Sequence, residues 1–107
     1  MVTISGENRF VTLINVFTVE AENQSNLVNL LVAATAKTMK GITGFVSANI
    51  HKSADGVRVV NYAQWKSRED FEAMRKNPEA QAHMKPIMEI AQVDFHLYEV
   101  VDSYELS

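Results

Sequence analysis

Ser47, Asn49 and His51 alternate along one run with Phe45, and Asn61 alternates with Trp65 along a second. In a strand, side chains two apart share a face, so a hairpin joining the runs is expected to gather all six on one surface. A buried amide or imidazole costs roughly a few kcal/mol unless it is hydrogen-bonded, so the pattern reads as a pocket with a few oriented polar groups among aromatics. A proton acceptor is at hand as well. His83 precedes Met84 and lies four residues before Ile87, which sets it beside an apolar helical stripe, where a neutral imidazole suits a base near neutral pH. The alternative for His83 is a solvated helix edge. His96 reads as an exposed strand residue.

Other chemistries find no support. The chain has no cysteine, which removes disulfides, thiolate metal sites and a cysteine nucleophile together. Its three histidines and the nearby carboxylates form no metal-ligand spacing, so no metal is expected. Gly-rich phosphate loop, nucleophile elbow, dinucleotide fingerprint and H-E-x-x-H pair are all missing. Most Asp and Glu residues fall in loops or on helix surfaces, which leaves no paired-carboxylate site.

The elements that must position these residues follow from local patterning. Arg9 to Val19 is rich in β-branched and aromatic residues and reads as a first strand. Leu27, Leu30, Leu31, Ala34 and Thr38 recur at helical spacing, predicting a helix over about 23–40 with Gly41 as its stop. Phe45–Lys52 and Val57–Trp65 form two further strands joined by Ser53-Ala54-Asp55-Gly56, whose Asp-Gly pair favours a tight hairpin. Ser67 to Asp70 has the form of a capping box opening a helix with Phe71 and Met74. Asn77-Pro78 interrupts and restarts that helix, Met84, Ile87, Met88 and Ala91 give a fresh stripe, and Pro86 predicts a kink. Val93 to Val101 makes a last strand before a polar tail.

The order β-α-β-β-α-β is the split pattern of a ferredoxin-like α+β fold, a four-stranded antiparallel sheet with its helices on one face. With 107 residues the chain is expected to be a single domain with a core over about 9–101. Neither face of the sheet is purely polar, so the face without helices needs another cover. An identical subunit is the simplest one, and a homodimer with its sheets face to face is expected. A monomer exposing scattered Val, Ile and Tyr is the alternative. Ten basic and 13 acidic residues leave a net charge of −3, which sets nucleic acid aside as a partner. The opening residues lack a leader's basic and apolar regions, and no stretch approaches the ~20 apolar residues of a membrane span. A soluble, unprocessed, cytoplasmic protein with no membrane partner is expected.

Val59-Val60-Asn61-Tyr62-Ala63-Gln64-Trp65-Lys66-Ser67, followed by Glu69 and Phe71, resembles the antibiotic biosynthesis monooxygenase family, and Gly44 to His51 with the Asp55-Gly56 turn extends the likeness over about residues 9–101. The resemblance implies a dimeric α+β barrel and a cofactor-independent oxidation of an aromatic polyketide, anthrone- or quinol-like, by O₂. It implies Asn61 and Trp65 as the active-site pair, His51 as a further pocket residue and either His51 or His83 as base. Asn15, Phe45, Ser47, Asn49, Phe71 and Met84 become candidates for substrate contact. Where anthrone oxygenases resemble one another in a tyrosine and an arginine, this chain offers Phe71 and His83. A second branch of the fold, the haem-degrading monooxygenases, is similar in placing an Asn, a Trp and a His where this chain has Asn15, Trp65 and His83. There haem is the substrate and the histidine would ligate its iron. A non-catalytic binder or an isomerase on the same scaffold is the third reading.

Overall fold

The computed structural model describes residues 10–106. Arg9, expected to open the first strand, and the opening residues read for a leader lie outside them. Strand β1 (Val11–Val19), helix α1 (Gln24–Lys37), strands β2 (Phe45–Lys52) and β3 (Arg58–Trp65), helices α2 (Arg68–Arg75) and α3 (Pro78–Ile90) and strand β4 (Ala91–Tyr98) follow in that order. The sheet order is β2-β3-β1-β4 with every neighbouring pair antiparallel, as the ferredoxin-like reading requires.

Local chemistry accounts for most boundaries. Ser67 accepts the Asp70 N–H at 3.0 Å and starts α2, while Asn77 accepts from Glu79 and Ala80 and starts α3 with Pro78 in its first turn. Each cap satisfies amides that a helix start leaves unpaired. Helix α3 runs on through Pro86 to Ile90. Helix α1 stops at Lys37, earlier than its apolar stripe suggested, and a 3₁₀ turn over Met39–Gly41 follows it. Strand β4 also differs from expectation, beginning at Ala91 and ending at Tyr98. Its partner sets that limit, because β1 opens at Val11 and Thr12 is already opposite Tyr98.

The β2–β3 turn is held by its own side chains. The Ser53 hydroxyl and the Val57 N–H donate to the Asp55 carboxylate, the Arg58 guanidinium lies against it, and together they hold its pKa below the ordinary value. Gly56 supplies the left-handed residue at φ 83°. The Gln24 side chain, at the start of α1, donates to the carbonyls of Ser53 and Arg58 and ties this turn to the helical layer.

Between β2 and β3 the pairing slips. Phe45 is opposite Trp65 and Ser47 is opposite Gln64, so two residues on β2 span one step on β3 and Val46 is the extra one. Such a bulge moves every later side chain to the other face. Ala48 and Ile50 consequently lie beside Ala63 and Asn61, under the helices.

Gly44 precedes this strand at φ 85°, and a Cβ there would collide with the Asp70 side chain. Its carbonyl accepts the Lys66 N–H at 2.8 Å, which ties the entry of β2 to the exit of β3. Gly44→Ala meets both a backbone and a steric penalty and is expected to cost roughly 2 kcal/mol or more, about a 10 °C fall in Tm. Thermal unfolding followed by circular dichroism checks it.

Two apolar clusters build the core on the helical side of the sheet. One joins Phe17, Val19, Leu27, Leu31, Val59 and Ile87, the other Leu13, Ala63, Trp65 and Phe71. Residue pairing shows what separates them on the sheet. Leu13 is opposite Ala63 and Phe17 is opposite Val59, but the row between holds Asn15 opposite Asn61. Ile50 and Phe95 flank that row on the outer strands.

Candidate active site

Over the amide row lies a cavity of about 730 Å³, open in part to solvent and lined by the inner sheet face and all three α-helices. Strands β1 and β3 supply Asn15, Asn61 and Trp65, β2 supplies Phe45, α2 supplies Phe71, and α3 supplies His83 and Met84. These residues, expected from the sequence to meet substrate, line one space.

Trp65 is only 1% exposed. Its indole meets Phe45 and Phe71 edge-to-face at centroid distances of 5.6 and 5.9 Å, and Phe71 in turn meets Phe95 at 5.9 Å. Such contacts fix ring orientation as well as burying area. Arg75 closes the row, its guanidinium carbon 4.9 Å from the Phe95 ring centre and its Nη1 3.3 Å from Glu72.

The hydrogen bonding of the wall is incomplete. Asn15 Oδ1, Asn61 Oδ1 and Trp65 Nε1 are buried and have no partner. Thr12 and Thr38 also carry buried hydroxyls without partners, but neither lines the cavity. An unsatisfied buried polar atom costs about 1–3 kcal/mol, and packing alone would place apolar residues here. All three belong to residues that line one cavity.

Ser47, Asn49 and His51 do not share this space, contrary to the sequence reading. The Val46 bulge turns them to the opposite face of the sheet, level with Gln64, Tyr62 and Val60. There the Ser47 hydroxyl donates to Gln64 at 3.3 Å, the Asn49 amide donates to the Tyr62 carbonyl at 3.1 Å, and the exposed His51 ring lies 3.1 Å from the Asn49 carbonyl. Of the two histidines weighed as base, the cavity holds His83. His96 is exposed on β4, 3.0 Å from the Asp94 carboxylate.

Sequence reasoning passed over Arg75 and Lys85, which also line the cavity. Both are exposed and carry charge on helices, so spacing alone assigns them to solvent. Among the described residues no group of three or more His, Asp or Glu is placed to hold a metal ion. No helix among them is long and apolar enough to cross a membrane.

A sequence profile described as antibiotic biosynthesis monooxygenase matches residues 10–86. A curated relative, tetracenomycin-F1 monooxygenase of Streptomyces glaucescens, is 48% identical over 83 residues, spanning 78% of this chain and 74% of the relative. The chain belongs to the antibiotic biosynthesis monooxygenase family. Solved structures agree on the fold of this monooxygenase. The ActVA-Orf6 monooxygenase of Streptomyces coelicolor, solved with nanaomycin D, superposes with a TM-score of 0.80 at 25% identity, covering 92% of both chains. SnoaB of Streptomyces nogalater, described as a cofactor-independent oxygenase, gives a TM-score of 0.80 at 19% identity over 89% of this chain and 96% of its own.

Proposed function

We propose that this monooxygenase oxidises a small phenolic, polycyclic aromatic substrate, of the anthrone or quinol kind made by polyketide synthesis, using O₂ and no cofactor. The observation that carries the reading is that Asn15, Asn61 and Trp65, each with a buried polar atom that has no partner, line one aromatic-walled cavity of about 730 Å³. That volume lies within the range of small-molecule sites, and flat aromatic guests suit such walls. The name of the 48%-identical relative, a tetracenomycin-F1 monooxygenase, points the same way, and the description of SnoaB supports doing without a cofactor.

The chemistry starts with a proton. His83 takes it from the activated ring carbon of the substrate, and the negative charge moves onto the conjugated ring oxygen. Asn61 turns its amide hydrogens to that oxyanion, and Trp65 Nε1–H donates to a second acceptor on the guest. The electron-rich anion passes one electron to O₂, and the resulting radical pair joins as a peroxide at the same carbon. His83 returns its proton to the peroxide, and loss of water from the hydroperoxide leaves a ketone, so one oxygen atom ends in the quinone and the other in water. Asn15, Phe45, Phe71 and Met84 hold the ring system in place.

The opposite face of the sheet presents Ile14, Val16, Val60 and Tyr62 in adjacent register positions. A second copy of the chain covers it in this reading, giving a cytoplasmic homodimer of single-domain subunits.

Purified protein should consume O₂ and form quinone when given a hydroxylated anthrone with no added flavin or metal. Oxygen-electrode traces unchanged by protein with both anthrones and quinols would sink the proposal. The haem-degrading reading keeps one observation in its favour, since Asn15, Trp65 and His83 line the same cavity. Haemin titration discriminates. A Soret shift seen with the wild type and lost in His83→Ala would favour haem, and free-haemin spectra throughout are the outcome expected here.

A further inference from the structure

We propose that Met39, Met74 and Met84 are modification sites. An aromatic hydroperoxide held in the cavity passes its outer oxygen to their thioethers, and the sulfoxides formed limit how many turnovers one protein molecule completes. The inference rests on the reading above, which supplies the hydroperoxide.

The chain has five methionines, and four of them, Met39, Met74, Met84 and Met88, line this one cavity. They reach it from separate segments, the 3₁₀ turn over Met39–Gly41, α2 and α3, so no single helical stripe gathers them. Their exposure divides them. Met88 is 64% exposed, whereas Met39, Met74 and Met84 are half-buried. Met84 packs on the core cluster of Phe17 and Ile87, and Met39 and Met74 pack on that of Trp65 and Phe71. The sheet thus gives the cavity amides and rings, while the helical layer gives it thioethers, which peroxides oxidise to sulfoxides.

The step balances with no further reagent. The thioether sulfur attacks the outer oxygen of the hydroperoxide, the O–O bond breaks, an S–O bond forms, and the proton of the outer oxygen goes to the inner one. Sulfur is oxidised by two electrons and the hydroperoxide is reduced to an alcohol, in competition with the loss of water that yields the quinone. A sulfoxide then sets a polar, chiral group where an adaptable apolar side chain met the guest. An oxidant dissolved in water meets the thioethers in order of exposure, Met88 first. An oxidant carried by a guest seated over the amide row meets the half-buried three first.

Peptide mapping of the whole protein by mass spectrometry reads that order. Hydrogen peroxide alone should label Met88 before the others. Cumene hydroperoxide, an aromatic hydroperoxide that needs no turnover, should reverse the order, with at least about threefold more sulfoxide on Met39, Met74 and Met84 together than on Met88. Excess anthraquinone, by filling the cavity, should protect the same three. Anthrone with O₂, and catalase to remove free peroxide, should again label the inner three, and oxygen uptake should decline as their sulfoxides accumulate. The same order with both peroxides overturns the proposal and needs no catalysis. Oxygen uptake that decays with the three thioethers intact, or continues undiminished after they are oxidised, overturns it too and leaves the oxygenase standing. Inner labelling by cumene hydroperoxide with no uptake from anthrones or quinols defeats the oxygenase alone and leaves the modification sites in place.

Discussion

Asn61→Ala is expected to slow anthrone oxidation by about a hundredfold while leaving the protein no less stable. The rate effect follows from the role assigned to the amide. Removing one donor from an oxyanion site costs about 10²–10³ in kcat, because the charge it serves develops only on the way to the transition state. The fall should therefore sit in kcat, with KM little changed. A pure binder gives the opposite pattern, with altered affinity and no turnover to lose. The stability effect follows from Asn61 Oδ1 being buried without a partner. Truncation removes an atom that is unsatisfied in the empty protein, which offsets the small cavity left behind. Steady-state oxygen uptake and urea unfolding of the same preparations check both halves. Activity retained within about threefold would remove Asn61 from the mechanism.

Trp65→Ala should be the most damaging single change to the fold, at about 3–5 kcal/mol. The indole is almost fully buried and is packed edge-to-face against Phe45 and Phe71. Its loss leaves a void that rings on both sides cannot fill without abandoning their contacts. Urea midpoints measure this directly, and a loss below about 1 kcal/mol would contradict the packing argument. Trp65→Phe separates structure from chemistry. It keeps an aromatic wall but deletes the N–H, so it should cost less stability than Trp65→Ala and still slow turnover by about tenfold.

Much of the architecture is legible in the sequence because the signals are local. Ser67 and Asn77 announce their helices through side chains that cap the next few amides. The β2 boundaries follow from Gly44 before it and the Ser53–Gly56 turn after it, both short-range features. Asn61, Trp65, Phe71 and Met84 are readable because strand and helix periodicity sets each on an apolar face, whereas His83 only borders such a stripe and Asn15 enters as a candidate through the family resemblance. Ser47, Asn49 and His51 go wrong for a different reason. The extra residue at Val46 has no glycine or proline to mark it, and its presence is fixed by how β2 meets β3, a long-range pairing. Arg75 is missed because an exposed arginine on a helix looks solvated, and only the tertiary fold brings Phe95 beneath its guanidinium.

At Val46 the backbone carries one residue more than the pairing needs, so register rather than residue identity decides which half of β2 meets the guest. Deleting that residue would leave Ser47 opposite Gln64 and Ala48 opposite Ala63 in unbroken alternation, whereas ironing out the bulge at full length would turn Ser47, Asn49 and His51 inward and Ala48 and Ile50 outward. A hydrocarbon wall would then be exchanged for one bearing hydroxyl, amide and imidazole, with no substitution anywhere. The bulge thus shields the pocket from a one-residue difference in strand length, and related chains are best aligned by this kink before their pocket residues are compared.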